Sequence, residues 1–369
     1  MADPRIEKLA ATLVNYCVAV QPGEWVIING HTAALPLIDA VLREVLESGG
    51  QPTVMLENDQ LEETFLRHAN QSQLTWASPL ASISGEQANC TINIRAASNT
   101  RGLSSTDPAK QRVRQNALRE AGIKRMQLGA SGALRWTVTQ YPCAAYAQEA
   151  DMSLREYEDF VYAATFSDQP DPVAKWLEVR ASQQRLVDWL AGKQQVQVRG
   201  PHIDLTLSIA GRSFINSDGR RNMPSGEIFT GPVEDSVNGW VRFGYPAIRA
   251  GREVEGVELE FKDGVVVRAS ASKNEQYLIS QLDSDPGARV LGEFAFGANY
   301  GITRFTKSIL FDEKIGGTIH MAVGNGYPET GSLNKSSVHW DLICDMRLDS
   351  EVLIDGELFY KNGQFQLED

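Results

Sequence analysis

"EWVIINGHTAALPLIDAVLREVLESGGQPTVMLE", residues 24–57, decides the architecture of the first half of this chain. "EWVIING" reads as a strand and "QPTVMLE" as a second one. Between them "AALPLIDAVLREVLESGG" reads as a helix closed by Gly49 and Gly50. A helix commonly stops at glycine, because glycine adopts the left-handed backbone that ends the last turn. Strand, helix and strand within about 35 residues form a βαβ unit, whose crossover favours parallel pairing.

Upstream, Ile6, Leu9, Leu13, Tyr16, Cys17 and Val20 recur at helical spacing and predict an amphipathic first helix. The run is too short for a membrane span, is interrupted by Asn15, and has no A-x-A cleavage pattern after it. Downstream, "NCTINIRAA" predicts a third strand, followed by a charged helix from Asp107 to about Ala121. "NGHTAAL" after the first strand holds neither GxGxxG nor GxxxxGK[ST]. Gly324 and Gly326 begin a GxG, but Glu329 stands where a third glycine belongs. Nucleotide binding is disfavoured.

Two more helices are expected over "SLREYEDFVYAATF" and "DPVAKWLEVRASQQRLVDWLAGK". Beyond Gln195 the texture changes: "VQVRG", "IDLTLSIA", "VEGVELEFKDGVVVRAS" and "EVLIDGELFYKNGQF" alternate polar with apolar residues around Gly and Asp-Gly turns. That is the pattern of antiparallel hairpins. The expected fold class is therefore α/β plus β-rich. An N-terminal α/β domain with parallel strands covers 1–190, and a largely antiparallel β domain covers 191–369. Two domains also suit a chain of 369 residues, longer than one core usually organises.

The formal net charge of -12, with no basic stretch to neutralise phosphates, argues against nucleic acid and anionic membranes as partners. Cys17, Cys90, Cys143 and Cys344 are widely spaced and form no CxxC, as buried thiols in a reducing compartment would. A cytoplasmic location is expected.

Chemistry concentrates after the midpoint. In "VHWDLICDMR", His339 and Asp341 lie two apart, so on a strand both side chains project from one face. His320 lies upstream on "GTIHMAV", on a plausible neighbouring strand. Glu227 follows the turn set by Pro224 and Gly226, and Glu293 stands in an apolar strand among Val290, Leu291, Phe294 and Phe296. By residue type alone each of these has a plainer reading: a hydrogen-bonded histidine, a His–Asp couple, a solvated carboxylate. His31, His68 and His202 take the plain reading. So do Asp312, Glu313 and Lys314, as a charged strand end or structural ion pair. Glu234, Asp235 and Asn238 are candidates to orient ligands from behind, or simple turn residues.

Four separated stretches, "NMPSGEIFTGPVEDSVNG", "LGEFAFGANYGI", "LFDEKIGGTIHMAVGNGYPETG" and "VHWDLICDMR", resemble in the right order the signatures of the M29, thermophilic-type, metallo-aminopeptidases. "RWTVTQYPCAAYAQEADMSLREYEDFVYAATF" is similar to that family's mid-chain region. The resemblance implies Glu227, Glu293, His320, His339 and Asp341 as ligands of two divalent metal ions (Zn, Co, Mn or Mg). It implies Tyr327 as an active-site tyrosine and a homodimer joined through the C-terminal domain. It also implies peptide substrates with a free N-terminus. Glu293 is the expected general base and Tyr327 the expected donor to the oxyanion. Three carboxylates and one hydroxide would neutralise two dications. The competing reading is a mononuclear non-haem Fe(II) ring-cleaving dioxygenase using His320, His339 and Asp341 alone, a two-histidine, one-carboxylate triad. It needs neither Glu227 nor Glu293.

Overall fold

The computed structural model of the chain describes residues 3–249 and 251–367, with 81, 82, 84 and 85 by backbone alone. Two units separate by compactness: Met1–Lys175 with Gly219–Pro224, and Trp176–Asp218 with Ser225–Asp369.

The first unit holds four parallel strands, β1 (Trp25–His31), β2 (Gln51–Glu57), β3 (Cys90–Arg95) and β4 (Arg135–Gln140), in the order β2-β1-β3-β4. The short strand Asn222–Met223 pairs parallel beside β4. The predicted βαβ unit is present: β1 and β2 run parallel over their full length, Trp25 opposite Gln51 through His31 opposite Glu57. The first helix, α1 (Pro4–Ala11), is capped by the Asp3 side chain and runs on as a π-helical turn, Thr12–Cys17. The crossover helix, α2 (Leu35–Glu47), packs its apolar stripe Leu37, Ile38, Val41 and Val45 inward.

Three short helices, α3 (Asp59–His68), α4 (Gln71–Thr75) and α5 (Pro79–Gln87), then lead from β2 to β3. The charged helix α6 (Pro108–Ala130) continues past its expected end near Ala121. Gly122 costs only about 1 kcal/mol in a helix interior, and the extension sets Gly129 against Trp136 of β4, where a Cβ would meet the indole nitrogen at 2.8 Å. The short α7 (Ala144–Glu149) and α8 (Leu154–Ala164) follow. A reciprocal Ser153–Glu156 capping box starts α8. The long helix α9 (Pro172–Leu190) contains the division between the units near its start and gives way to strands at its end.

The second unit is built from antiparallel sheets. An eight-stranded one contains "IDLTLS", whose alternating burial matches its alternating sequence. A five-stranded one runs β9 (His339–Asp345), β8 (Thr318–Gly324), β7 (Leu291–Gly297), β6 (Glu227–Thr230) and β5 (Ile215–Ser217). Phe294, Phe296, Ile319, Met321, Trp340 and Leu342 of this smaller sheet join Val196, Leu205 and Leu259 of the larger one in a single apolar core. Burying each such side chain contributes about 1.5–3 kcal/mol, so the smaller sheet's orientation is fixed by its apolar face. No helix among the described residues is long and apolar enough to cross a membrane.

Candidate metal centre

With Phe294, Phe296, Ile319, Met321, Trp340 and Leu342 committed to the core, the alternate residues of the same strands must point the other way. Register then decides what shares that second face. His320 lies opposite both Ala295 and Ile343, Asp341 opposite Ala322, His339 opposite Gly324, and Glu227 opposite Gly297. Glu293, two residues before Ala295, alternates onto this side, and a register shift between Leu291 and Glu293 turns Leu291 to the core. Glu227, Glu293, His320, His339 and Asp341 thus project from one face, separated by Ala295, Gly297, Ala322 and Gly324, which leave room between them. Gly324 has a further reason to be glycine: its φ is +99°, and a Cβ would meet the Val338 carbonyl at 2.1 Å.

The five side chains meet. His320 Nε2 is 3.4 Å from Glu227 Oε2 and 3.4 Å from Glu293 Oε1. His339 Nε2 is 3.4 Å from Glu293 Oε2 and 3.6 Å from Asp341 Oδ1. His339 Nδ1 lies 2.8 Å from the Asn325 carbonyl, a bond that needs the proton on Nδ1 and leaves the Nε2 lone pair facing the carboxylates. Glu227, Glu293 and His320 are 5%, 4% and 1% exposed. Glu227 Oε2 and His320 Nδ1 have no hydrogen-bond partner among the described residues.

Burial and mutual repulsion shift the ionisable groups. Burial pushes the Glu227 carboxyl up to about 7, against the pull of Lys314. Burial likewise raises Glu293, with His320 opposing. Burial alone would lower His320, but the carboxylates of Glu293 and Glu227 win and raise it to about 9. His339 moves the same way, through Asp341 and Glu293. A buried nest of acids that draws positive charge onto its imidazoles suits a cation. The donors are all carboxylate oxygen or imidazole nitrogen, a set that suits divalent metals such as Zn, Co, Mn, Mg or Fe. Glu293, His339 and Asp341 can each offer one atom within 4.8 Å of the others, and so can Glu313, His320 and Asp341.

Glu313 and Lys314 belong to this surrounding, which their reading as a structural ion pair only half captured. Lys314 is fully buried, paired with Glu313, and its Nζ is 3.7 Å from Glu227 Oε1. Burial would lower the amine, but Glu227 and Glu313 hold its affinity for the proton above the ordinary value. The available signal was "DEKIGG", a lysine beside acids six residues before His320. Asp312 stays structural: it is buried and accepts from the Thr306 N–H at 2.7 Å and hydroxyl at 2.8 Å.

Tyr327 stands where β8 leaves the sheet. Its ring packs edge-on against His339, centroids 5.2 Å apart, and against Phe229 at 5.3 Å. The loop after it is tied down, since Glu234 pairs with Arg212 at 2.5 Å and accepts from the Leu333 N–H at 2.6 Å. Asn238 opens a strand of the larger sheet and accepts from the Asp263 N–H.

The profile of the thermophilic metalloprotease family M29 matches residues 2–365. This chain belongs to the M29 family. Aminopeptidase 2 of Geobacillus stearothermophilus is 28% identical, over 99% of this chain and 98% of that protein. Wild-type AmpT from Thermus thermophilus superposes with a TM-score of 0.87 at 23% identity, covering 98% of this chain and 99% of the other. The 2,5-dihydroxypyridine dioxygenase from Pseudomonas putida KT2440 shares the fold at a TM-score of 0.58 and 12% identity, over 100% of this chain and 99% of its own. The M29 fold therefore extends beyond peptidases, and the side chains of the site must carry the functional argument.

Proposed function

We propose that this M29 protein is an aminopeptidase working with two divalent metal ions, Zn, Co, Mn or Mg, held by Glu227, Glu293, His320, His339 and Asp341. The observation that carries the reading is Glu293, whose two carboxylate oxygens each face a different imidazole at 3.4 Å. Glu227, Glu293, His320, His339 and Asp341 would hold the ions, which when bound would lower the pKa of a water and polarise the scissile carbonyl.

The protein's own groups supply the rest. Glu293 accepts the proton of the attacking water and returns it to the departing amine, in the manner of a general base that then acts as acid. The Tyr327 phenol keeps its proton, because desolvation and the charges of Glu293 and Asp341 raise it far above its ordinary range. It donates that O–H to the carbonyl oxygen as negative charge develops there. A metal ion or a carboxylate of the site would hold the free α-amine of the substrate, so that only the first peptide bond is positioned for attack. Substrates are peptides with a free N-terminus. We take the assembly to be a homodimer in the cytoplasm, which sedimentation velocity and fractionation test.

Counting metal atoms per chain in the active protein and assaying leucine p-nitroanilide against its N-acetylated form tests the proposal. Two ions and no cleavage of the acetylated substrate are expected. One ion per chain, or equal cleavage of both, overturns it. The dioxygenase fold likeness gives the single-iron reading, through His320, His339 and Asp341, its one support. Burial of Glu227 and Glu293 against His320 favours the two-ion reading, since the iron triad has no use for either acid.

A further inference from the structure

The first unit contains a cavity of about 340 Å³, and every residue lining it belongs to that unit. Its position follows from topology. In the order β2-β1-β3-β4, the chain turns back toward β2 after β1 and away from it after β3. Right-handed crossovers then put the two connections on opposite faces. The packing agrees: a Cβ at Gly30 of β1 would strike Ile38 of α2, while Trp136, on the opposite face of the sheet, lies under Gly129 of α6. Diverging connections leave a crevice at the carboxyl ends of β1 and β3, the place where open parallel sheets bind ligands.

The chemistry of the crevice is specific. Asn29 and Asn93 are partners across β1 and β3, and the Asn29 amide donates to Asn93 Oδ1 at 3.0 Å. Asn93 in turn donates to the Thr137 carbonyl at 3.1 Å. Asn29 Oδ1 is left without a partner among the described residues, a fixed acceptor on the cavity floor. Arg95, two residues beyond Asn93 on the same face of β3, and Arg125 of α6 line the opening. Neither guanidinium has an ion-pair partner among the described residues, although the chain carries a net charge of -12. The helix behind the cavity is itself basic, with Lys110, Arg112, Arg114, Arg119, Lys124 and Arg125 against Glu120 alone. Trp136 and Val138 supply an apolar wall.

We propose that this crevice binds a compact organic oxyanion, a carboxylate or phosphate ester, that also carries a hydroxyl or amino donor. Arg95 and Arg125 take the oxyanion in charge-assisted hydrogen bonds. Asn29 Oδ1 takes the donor, and Trp136 covers the body of the ligand. With no glycine-rich phosphate turn after β1, side chains rather than backbone amides hold the charge. The site is independent of the metal centre and of the reading given to it.

Isothermal titration calorimetry with AMP and with 3-phenyllactate, each with inorganic phosphate and benzoate as donor-free comparisons, tests the proposal on the full chain. One-to-one binding of AMP or of 3-phenyllactate is expected, tighter than that of its comparison. Binding of one and not the other assigns phosphate or carboxylate. Arg95→Ala and Arg125→Ala, both at exposed positions, should each weaken it about tenfold or more. The accompanying change in tryptophan emission should vanish in Trp136→Phe. Absence of binding by both ligands up to about 10 mM, far weaker than small-molecule sites bind their ligands, overturns the proposal. So does binding that neither arginine substitution alters.

Discussion

Glu293 stands between His320 and His339, its Oε1 3.4 Å from one Nε2 and its Oε2 3.4 Å from the other. No other carboxylate in the cluster touches both imidazoles. Replacing it by glutamine keeps the shape but removes both the charge that faces the two imidazoles and the proton carrier proposed for the reaction. Glu293→Gln should retain its circular dichroism spectrum and lose turnover by about 10²–10⁴-fold, the usual worth of a general base. Its metal content should fall as well. Activity within a few-fold of wild type removes Glu293 from the mechanism.

Tyr327 separates positioning from chemistry. Its ring packs on His339 and Phe229, contacts that phenylalanine preserves. Tyr327→Phe should therefore leave KM and the unfolding midpoint nearly unchanged while kcat drops by roughly 10²-fold or more, the cost of one donor to a developing oxyanion. Equal losses in kcat and in stability would make the tyrosine a packing residue.

Removal of metal by a chelator should abolish hydrolysis and lower the melting temperature. Ligand binding to the native state alone stabilises by about 4 kcal/mol when free ligand is near a thousandfold above Kd. Titrating the apoprotein with Zn²⁺ or Mn²⁺ should restore both properties, with the break at two equivalents. A break at one equivalent contradicts the two-ion proposal.

Lys314 is fully buried between Glu227 and Glu313. Lys314→Met removes the cation and leaves buried acids uncompensated, a change that costs about 3–5 kcal/mol when one partner of a buried pair is lost. Urea denaturation of the chelated protein measures it. A difference under about 1 kcal/mol would place the pair in the weak class of surface ion pairs.

Asp285 anchors Ser336 and Ser337, just ahead of His339 in the chain. Its carboxylate accepts from the Ser337 N–H at 2.8 Å, the Ser337 hydroxyl at 2.7 Å and the Ser336 hydroxyl at 3.0 Å. These bonds, the Ser337 N–H first among them, hold its pKa down at about 2, below the ordinary 3.8. The native state thus keeps this carboxylate charged where the unfolded chain protonates it. Its contribution is complete above the unfolded pKa and is lost as pH falls toward the folded one. The difference in urea midpoint between wild type and Asp285→Asn should be constant from neutral pH to about 5, and shrink between about 4 and 2. A pH-independent difference would mean that the hydrogen bonds act without the charge.

Much of this was legible before folding. The βαβ unit announced itself because a helix between two strands has a period that residues 24–57 display openly. His339 and Asp341 were legible as a pair, since a strand repeats every two residues and places both on one side wherever it sits. The length of α6 was not legible, because its continuation beyond Ala121 rests on the close approach of Gly129 to Trp136, a contact with a distant strand.

The amino-acid sequence by itself determined which strands could form and which residues each would turn to a common face, because backbone periodicity is local. Beyond the βαβ pair, it could not determine which strands would become neighbours. Glu227 is opposite Gly297, and His320 opposite Ala295 and Ile343, only because the sheet order β9-β8-β7-β6 sets those strands side by side. The buried pairing of Lys314 with Glu227 and the crevice between β1 and β3 arise the same way. Apolar burial fixes the register of each sheet, and register converts residues far apart in the chain into a cluster whose charges must share one small volume.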